Sequence, residues 1–460
     1  MASPDGVPIG VHGTSMPFGA PKPRDRTGLL DRTKELLLCA ATWQADPHRA
    51  AIDGDRAIEL AELADSAELH ALALVQAGCA EVVLGGDAVG REMTQHGLSI
   101  AEQSGDAELV RSCQAEIATM QLLAGRPGEG ADTALAALAG DREPDAPSKG
   151  TLLERAIAGL THAGRWSEVA ALVKAEGDRA LPVPARIQHA QLAGLRGAFS
   201  KAHTELELLA DSDAGDDPRF SAAEAWLAFS RDRPAQQQRA ALRGLQSTRP
   251  ASAALVNELV FLTAAGLARE GRRLRHPDSA KREVAAVLGL LRDDPGGMPT
   301  SGAWAAAARA EAESIQQPTP AGWRTALAAW DDIDGWPHLR CYLQCRLAMV
   351  TDDAAEAAEL VTAAWARARA LGSTPLQRIA QSTAARLGLD PGRLDDTEPR
   401  TLTQREREVL DHIVDGASNR AIASRLGISE KTASVHVSNL LRKLGAASRT
   451  EAALLAKRMQ

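Results

Sequence analysis

From about Thr27 to Leu389 the chain repeats one theme: Ala- and Leu-rich amphipathic stretches of roughly 12 to 20 residues, separated by short Gly, Asp or Pro breaks. Residues 56–63 and 68–75 make one pair of helical stretches, and 97–105 with 108–124 another. Gly105-Asp106, Gly125-Arg-Pro-Gly128 and Gly164-Arg-Trp166 fall just past the apolar runs, where a helix ends with φ above zero. No alternating β-branched run of strand length interrupts this order, so the body is expected to be all α. A short amphipathic helix is marginal by itself and buries its apolar face only against neighbours. The pattern therefore demands stacking.

Antiparallel helix pairs of this length stack into an α-solenoid related to tetratricopeptide repeats. Aromatic residues make up 3% of the chain, so packing by Ala, small side chains and Leu ridges is expected, without large aromatic anchors. A solenoid has a concave face, which suits a peptide, a protein domain or a small effector. The plainer role is to space or dimerise whatever the chain carries. Trp304, Trp323, Trp330, Trp336 and Trp365 lie close in sequence. They are expected to wedge between helices, and they would also supply ring faces to an effector pocket. Cys341 and Cys345, with His338 a turn earlier, share a helix face, but a stable metal site needs about four ligands and no fourth is evident. They read as ordinary buried cysteines.

The last sixty residues follow a different pattern. In Ser418-Asn-Arg-Ala-Ile-Ala-Ser-Arg-Leu-Gly427, Ile422, Ala423 and Leu426 recur at helical spacing, Ser418 offers an N-cap oxygen, and Gly427 ends the helix. Ser429 then caps a longer helix, 430–444. Ala433, Val437, Leu440, Leu441 and Leu444 form its inner stripe, and Lys431, Ser434, Val435, Ser438 and Arg442 its outer row. This is a helix-turn-helix over 418–437, whose second helix lies in a DNA major groove. Thr403-Gln-Arg-Glu406 reads as a capping box, opening a helix with Val409, Leu410, Ile413 and Val414 inward. A last helix begins at Thr450.

The tail resembles a known family. Leu402-Thr-Gln-Arg-Glu-Arg-Glu-Val-Leu410, Gly416-Ala-Ser-Asn-Arg-Ala-Ile-Ala-Ser-Arg-Leu426, Lys443-Leu-Gly445 and Arg449 look like the LuxR-type DNA-binding domain. The resemblance implies a four-helix domain over 401–460, with a recognition helix over 430–444. The DNA-contact set carried over is Ser418, Asn419, Arg420, Lys431, Thr432, Ser434, Val435, Ser438, Asn439, Arg442 and Lys443, with Ala453 and Leu455 at a dimer interface. Ala433 and Ser434 depart from the family, which usually has Val and often Lys there. Residues 322–376 also resemble the helical region before the DNA domain in large MalT-like regulators of the same family. Those carry an ATPase module with a Gly-x-x-x-x-Gly-Lys-Ser/Thr loop, which has no counterpart here. Either the chain is a shortened relative, or an upstream module precedes the given start.

Charge agrees with this division. The whole chain carries a formal −8, yet residues 401–460 hold ten Lys+Arg against six Asp+Glu, leaving 42 against 54 for the first 400. A basic module on an acidic body binds phosphates locally. The expected organisation is a disordered start over 1–26, a helical-repeat body over 27–389, a Pro- and acid-rich linker over 390–400, and the DNA-binding domain. No apolar run reaches the about 20 residues a bilayer requires, and five scattered cysteines suit a reducing cytoplasm. No catalytic constellation, metal site or cofactor motif emerges, so no enzyme is expected. The sequence reads as a bacterial-type cytoplasmic transcription regulator, nucleoid-associated when bound. Its expected partners are double-stranded promoter or operator DNA, a second copy on that DNA, and a protein or small-molecule effector on the body, with no membrane. The alternative is a tetratricopeptide-like interaction scaffold whose tail is secondary.

Overall fold

The computed structural model describes residues 26–44, 46–139, 147–177, 181–210, 212–274, 277–293, 298–316, 318–389, 404–414, 417–426 and 437. Among these the regular structure is helical, with no strand. The first half of the body comprises α1 (Arg26–Ala40), α2 (Pro47–Leu63), α3 (Ala67–Val83), α4 (Asp87–Ser104), α5 (Ala107–Leu123), α6 (Pro127–Ala139), α7 (Lys149–His162), α8 (Trp166–Glu176) and α9 (Val183–Arg196). The second comprises α10 (Phe199–Ala210), α11 (Pro218–Ser230), α12 (Pro234–Leu245), α13 (Ala253–Leu274), α14 (Pro277–Leu288), α15 (Pro299–Gln316), α16 (Pro320–Ala328), α17 (Pro337–Ala348), α18 (Ala354–Ala370) and α19 (Thr374–Arg386).

Local signals set these boundaries. Asp46, Ser66, Asp106, Asp217, Asp353 and Ser373 cap α2, α3, α5, α11, α18 and α19, each accepting a backbone N–H. The expected stops at Gly105, Gly125 and Gly164 carry φ of 72°, 78° and 78°. Helix α1 begins one residue ahead of the expected body start. The Arg26 Nε–H donates to the Ala64 carbonyl at 2.9 Å, satisfying the end of α2.

Consecutive helices of the body pack as neighbours except α8 and α9, and each odd-numbered helix also packs on the next odd one from α1 to α15. That side-by-side stacking is the solenoid arrangement. The α3–α4 crossing is the tightest kind, backbone on backbone. A Cβ on Gly78 would lie 2.7 Å from the Gly90 carbonyl oxygen, so only glycine fits.

The stack then curls until its second half meets its first. Thr300 in the first turn of α15 donates to the Leu123 carbonyl at the end of α5, 2.8 Å away. The Asp334 N–H donates to the Gly125 carbonyl at 3.0 Å, and the Trp336 N–H to the His162 carbonyl at 2.7 Å. Ser373 and Thr374, opening α19, donate to the Leu195 and Arg196 carbonyls at the end of α9. The last carbonyls of a helix lack intrahelical partners. Here those of α5, α7 and α9 find them in segments some 170 residues further on, in the approach to or first turn of α15, α17 and α19. The expected open concave face is thereby narrowed to a cavity.

One expectation fails in the core. Large aromatic anchors are present: Trp226 lies 5.2 Å from the Phe229 and His338 rings and 6.3 Å from Phe261 and Trp304. Trp304 meets Trp330 at 5.1 Å, edge to face, and Trp330 meets Trp336 at 5.6 Å. Aromatics are few, but the curling of the stack brings them together, which their overall fraction does not reveal. The tryptophans do wedge between helices as expected, all five of the 304–365 group being buried.

Candidate DNA-binding module and central cavity

Two helices of the tail are described, α20 (Gln404–Val414) and α21 (Asn419–Leu426). Val409, Leu410 and Ile413 of α20 are buried, as are Ile422 and Ala423 of α21, while Val414 and Leu426 are half-buried. Ser418 caps α21 as its position predicts. Its Oγ accepts the Ala421 N–H at 3.3 Å, and its carbonyl accepts the Ile422 N–H at 2.9 Å. The Ala417 N–H donates to the His412 carbonyl at 2.9 Å, and the Arg425 guanidinium lies 3.4 Å from His412 Nδ1, tying the two helices together. Val437, assigned to the inner stripe of the next helix, is helical and buried.

Inside the body lies a cavity of about 480 Å³, walled by α5, α7, α9, α13 and α15, the start of α11, the 249–252 loop and Trp336. Its polar wall is largely self-paired. Arg155 donates to Thr119 Oγ1 at 2.6 Å and to Glu154 at 2.8 Å. Arg219 pairs with Glu154 and with Asp217, the latter at 2.7 Å. Burial alone would push the Asp217 carboxyl up, but the hydrogen bonds and charge of Arg219 outweigh it and hold it below its ordinary value. Glu258 is different. It accepts one hydrogen bond, from Trp226 Nε1 at 2.6 Å, and burial pushes it up to about 7 against that bond. His162, stacked on Trp336 with ring centroids 4.5 Å apart, is pushed down to about 4 by burial.

The family model for bacterial regulatory proteins of the luxR family matches residues 400–456. Residues 400–456 form a LuxR-type helix-turn-helix domain. An uncharacterized transcriptional regulatory protein, YhcZ of Bacillus subtilis, is 60% identical over 55 residues, covering 12% of this chain and 26% of that protein. The nitrate/nitrite response regulator protein NarP of Escherichia coli is 54% identical over 54 residues, 12% of this chain and 25% of its own. The corresponding NarL is 49% identical over 53 residues, 12% and 24%. The chain thus spans about a quarter of the length of these curated relatives.

Within the LuxR-type domain, the described residues bring Ser418 and Asn419 to the start of α21, where Ser418 is exposed and Asn419 half-buried with its Oδ1 shielded from solvent. Arg420 is helical. Lys431, Thr432, Ser434, Val435, Ser438, Asn439, Arg442, Lys443, Ala453 and Leu455 lie outside the described residues, as do Thr403, the 1–25 start and the 390–400 linker. In the body, Cys341 donates its thiol to the Ala364 carbonyl at 3.2 Å, while His338 packs between the Trp166 and Trp226 rings. The cavity residues Glu154, Arg155, Gln188, Arg219 and Glu258 went unseen in the sequence. They are spread over four helices, α7, α9, α11 and α13, and the tryptophans of residues 304–336 were the single signal near them.

Among the described residues no helix is long and apolar enough to cross a membrane.

Proposed function

We propose that the chain is a sequence-specific, DNA-binding transcriptional regulator that is not an enzyme, with its recognition helix over 430–444. The observation carrying this reading is the luxR-family match over 400–456, joined to a capped α21 whose apolar residues face inward. An inner stripe held by a core leaves the outer row of the following helix free for a groove. Lys431 and the Val435 methyls then discriminate bases, while Arg442, with Arg420 and Lys443, positions the phosphate backbone. Ser418, Asn419, Thr432, Ser434, Ser438 and Asn439 complete the DNA-facing set. One such helix covers a half-site, so the protein acts as a homodimer on DNA, through Ala453 and Leu455.

The helical-repeat body over 27–389 receives an effector, and the linker over 390–400 separates it from the DNA-binding domain. The site of action is the cytoplasm. The relatives named above are transcriptional or response regulators by name, which supports the regulatory role. A gel shift with the full chain on duplex from its own promoter region, at low and moderate salt, tests the reading. A salt-sensitive bound species is expected. Absence of any bound species at all salt concentrations overturns it in favour of the interaction scaffold.

A further inference from the structure

The central cavity is built at a cost that packing alone does not require. Buried polar groups are normally satisfied, and a buried carboxylate normally has a cation beside it. Of the three arginines lining the cavity, Arg155 and Arg219 are engaged by Glu154 and Asp217, and Arg249 is exposed. Among the described residues Glu258 has only the Trp226 N–H, and no cation is paired with it. Gln188 Oε1, also on the wall, is buried with no partner among the described residues. The uncompensated side-chain groups of the lining are thus two acceptors, the Glu258 carboxylate and Gln188 Oε1, together with His162 Nδ1 and the Trp336 indole N–H. The lining is mixed, with Leu122, Leu255 and the indoles of Trp304 and Trp336 supplying its apolar part.

We propose that this cavity binds a small organic cation, its ammonium or guanidinium group donating to the Glu258 carboxylate and its apolar part lying against Trp304 and Trp336. A volume of about 480 Å³ falls within the range of small-molecule sites. The walls come from α5, α7 and α9 on one side and from α13, α15 and Trp336 on the other. A bound cation consequently bridges the two halves of the curled stack, and its binding free energy adds to their closure. This site supplies the effector chemistry for the regulator proposed above, and it rests on that reading only for its biological use.

Protonation provides an internal control. The other ionisable groups lining the cavity are Glu154, Arg155, His162, Asp217, Arg219 and Arg249. Burial keeps His162 neutral above about pH 4, and Arg219 holds Asp217 below its ordinary value, whereas Glu258 changes charge near neutrality. Because its value is raised to about 7, the carboxylate form that attracts a cation is lost as pH falls through 7.

The test is calorimetric titration of the full-length protein with tryptamine and agmatine, and with indole-3-acetate as the anionic counterpart of tryptamine. At least one cationic probe is expected to bind and the anion to be rejected. Affinity for that cation should be about tenfold weaker at pH 6 than at pH 8. Glu258→Gln should weaken it by roughly tenfold to a hundredfold. The pH comparison uses the unmodified chain and stands even if the variant folds poorly. Binding of indole-3-acetate in preference to both cations would assign the cavity to anions, through Arg219 and Arg249, and overturn the proposal. So would a failure of both cations to bind at millimolar concentration, which would leave a cavity filled by water. Gel shifts run in parallel separate the two readings: DNA binding without cation binding removes this site alone, and cation binding without DNA binding removes the regulator reading alone.

Discussion

His162 and Trp336 are stacked with their planes 19° apart, and the Trp336 N–H donates to the His162 carbonyl at 2.7 Å. One residue ends α7 and the other precedes α17, so this contact joins the two halves of the body where the stack closes. Trp336 is buried and also packs on Trp330.

Replacing Trp336 by Ala should cost about 3–5 kcal/mol, the usual range for emptying a buried indole. Chemical denaturation checks the loss, and small-angle scattering should report a more extended particle. An unchanged midpoint would mean that the closure is not held here.

Acid should loosen the same region. Burial pushes His338 down to about 3, with the charge of His162 adding to the effect, and pushes His162 itself down to about 4. Between the ordinary histidine range and these values the unfolded chain binds protons that the folded one refuses. Each histidine therefore lowers stability by about 1 kcal/mol per pH unit as pH drops from about 6.5 toward 4, a loss that the raised Glu258 carboxyl offsets in part. Urea denaturation at a series of pH values should show this slope, and His338→Gln should flatten it whatever the variant's absolute stability.

The helical order of the body was legible in the sequence because it is local. Gly105, Gly125 and Gly164 ended helices as read, and Ser418 capped α21. The closure was not legible, since the Thr300–Leu123 and Ser373–Leu195 bonds join residues 177 and 178 apart with no motif at either end. For the same reason the aromatic core was misjudged. Counting rings gives their number, whereas Trp226, Trp304 and Tyr342 meet only after the stack curls, with Phe261 between them. The DNA-binding domain was legible through its ungapped motif, and Glu258 carried no sequence signal at all.

The α3–α4 crossing predicts a backbone-level penalty. Gly90→Ala places a methyl against Gly78 and Val82, where backbone rather than a flexible side chain must move. A loss of about 1–3 kcal/mol is expected, read as a lowered thermal midpoint. Gly302→Ala, in open space on α15, serves as the control and should be tolerated.

On the DNA side, Arg442→Ala should weaken specific and nonspecific duplex alike and reduce the salt slope by about one unit. Fluorescence anisotropy against salt measures both. A loss confined to one sequence would move Arg442 from the backbone to the bases.

The regulator reading is tested most directly by selecting duplexes from a random pool with the full-length chain at low salt. Enrichment of a shared site is expected, containing two related half-sites with centres about 10–10.5 base pairs apart or a multiple of that. A pool that remains random after repeated rounds, with the protein folded, would contradict it.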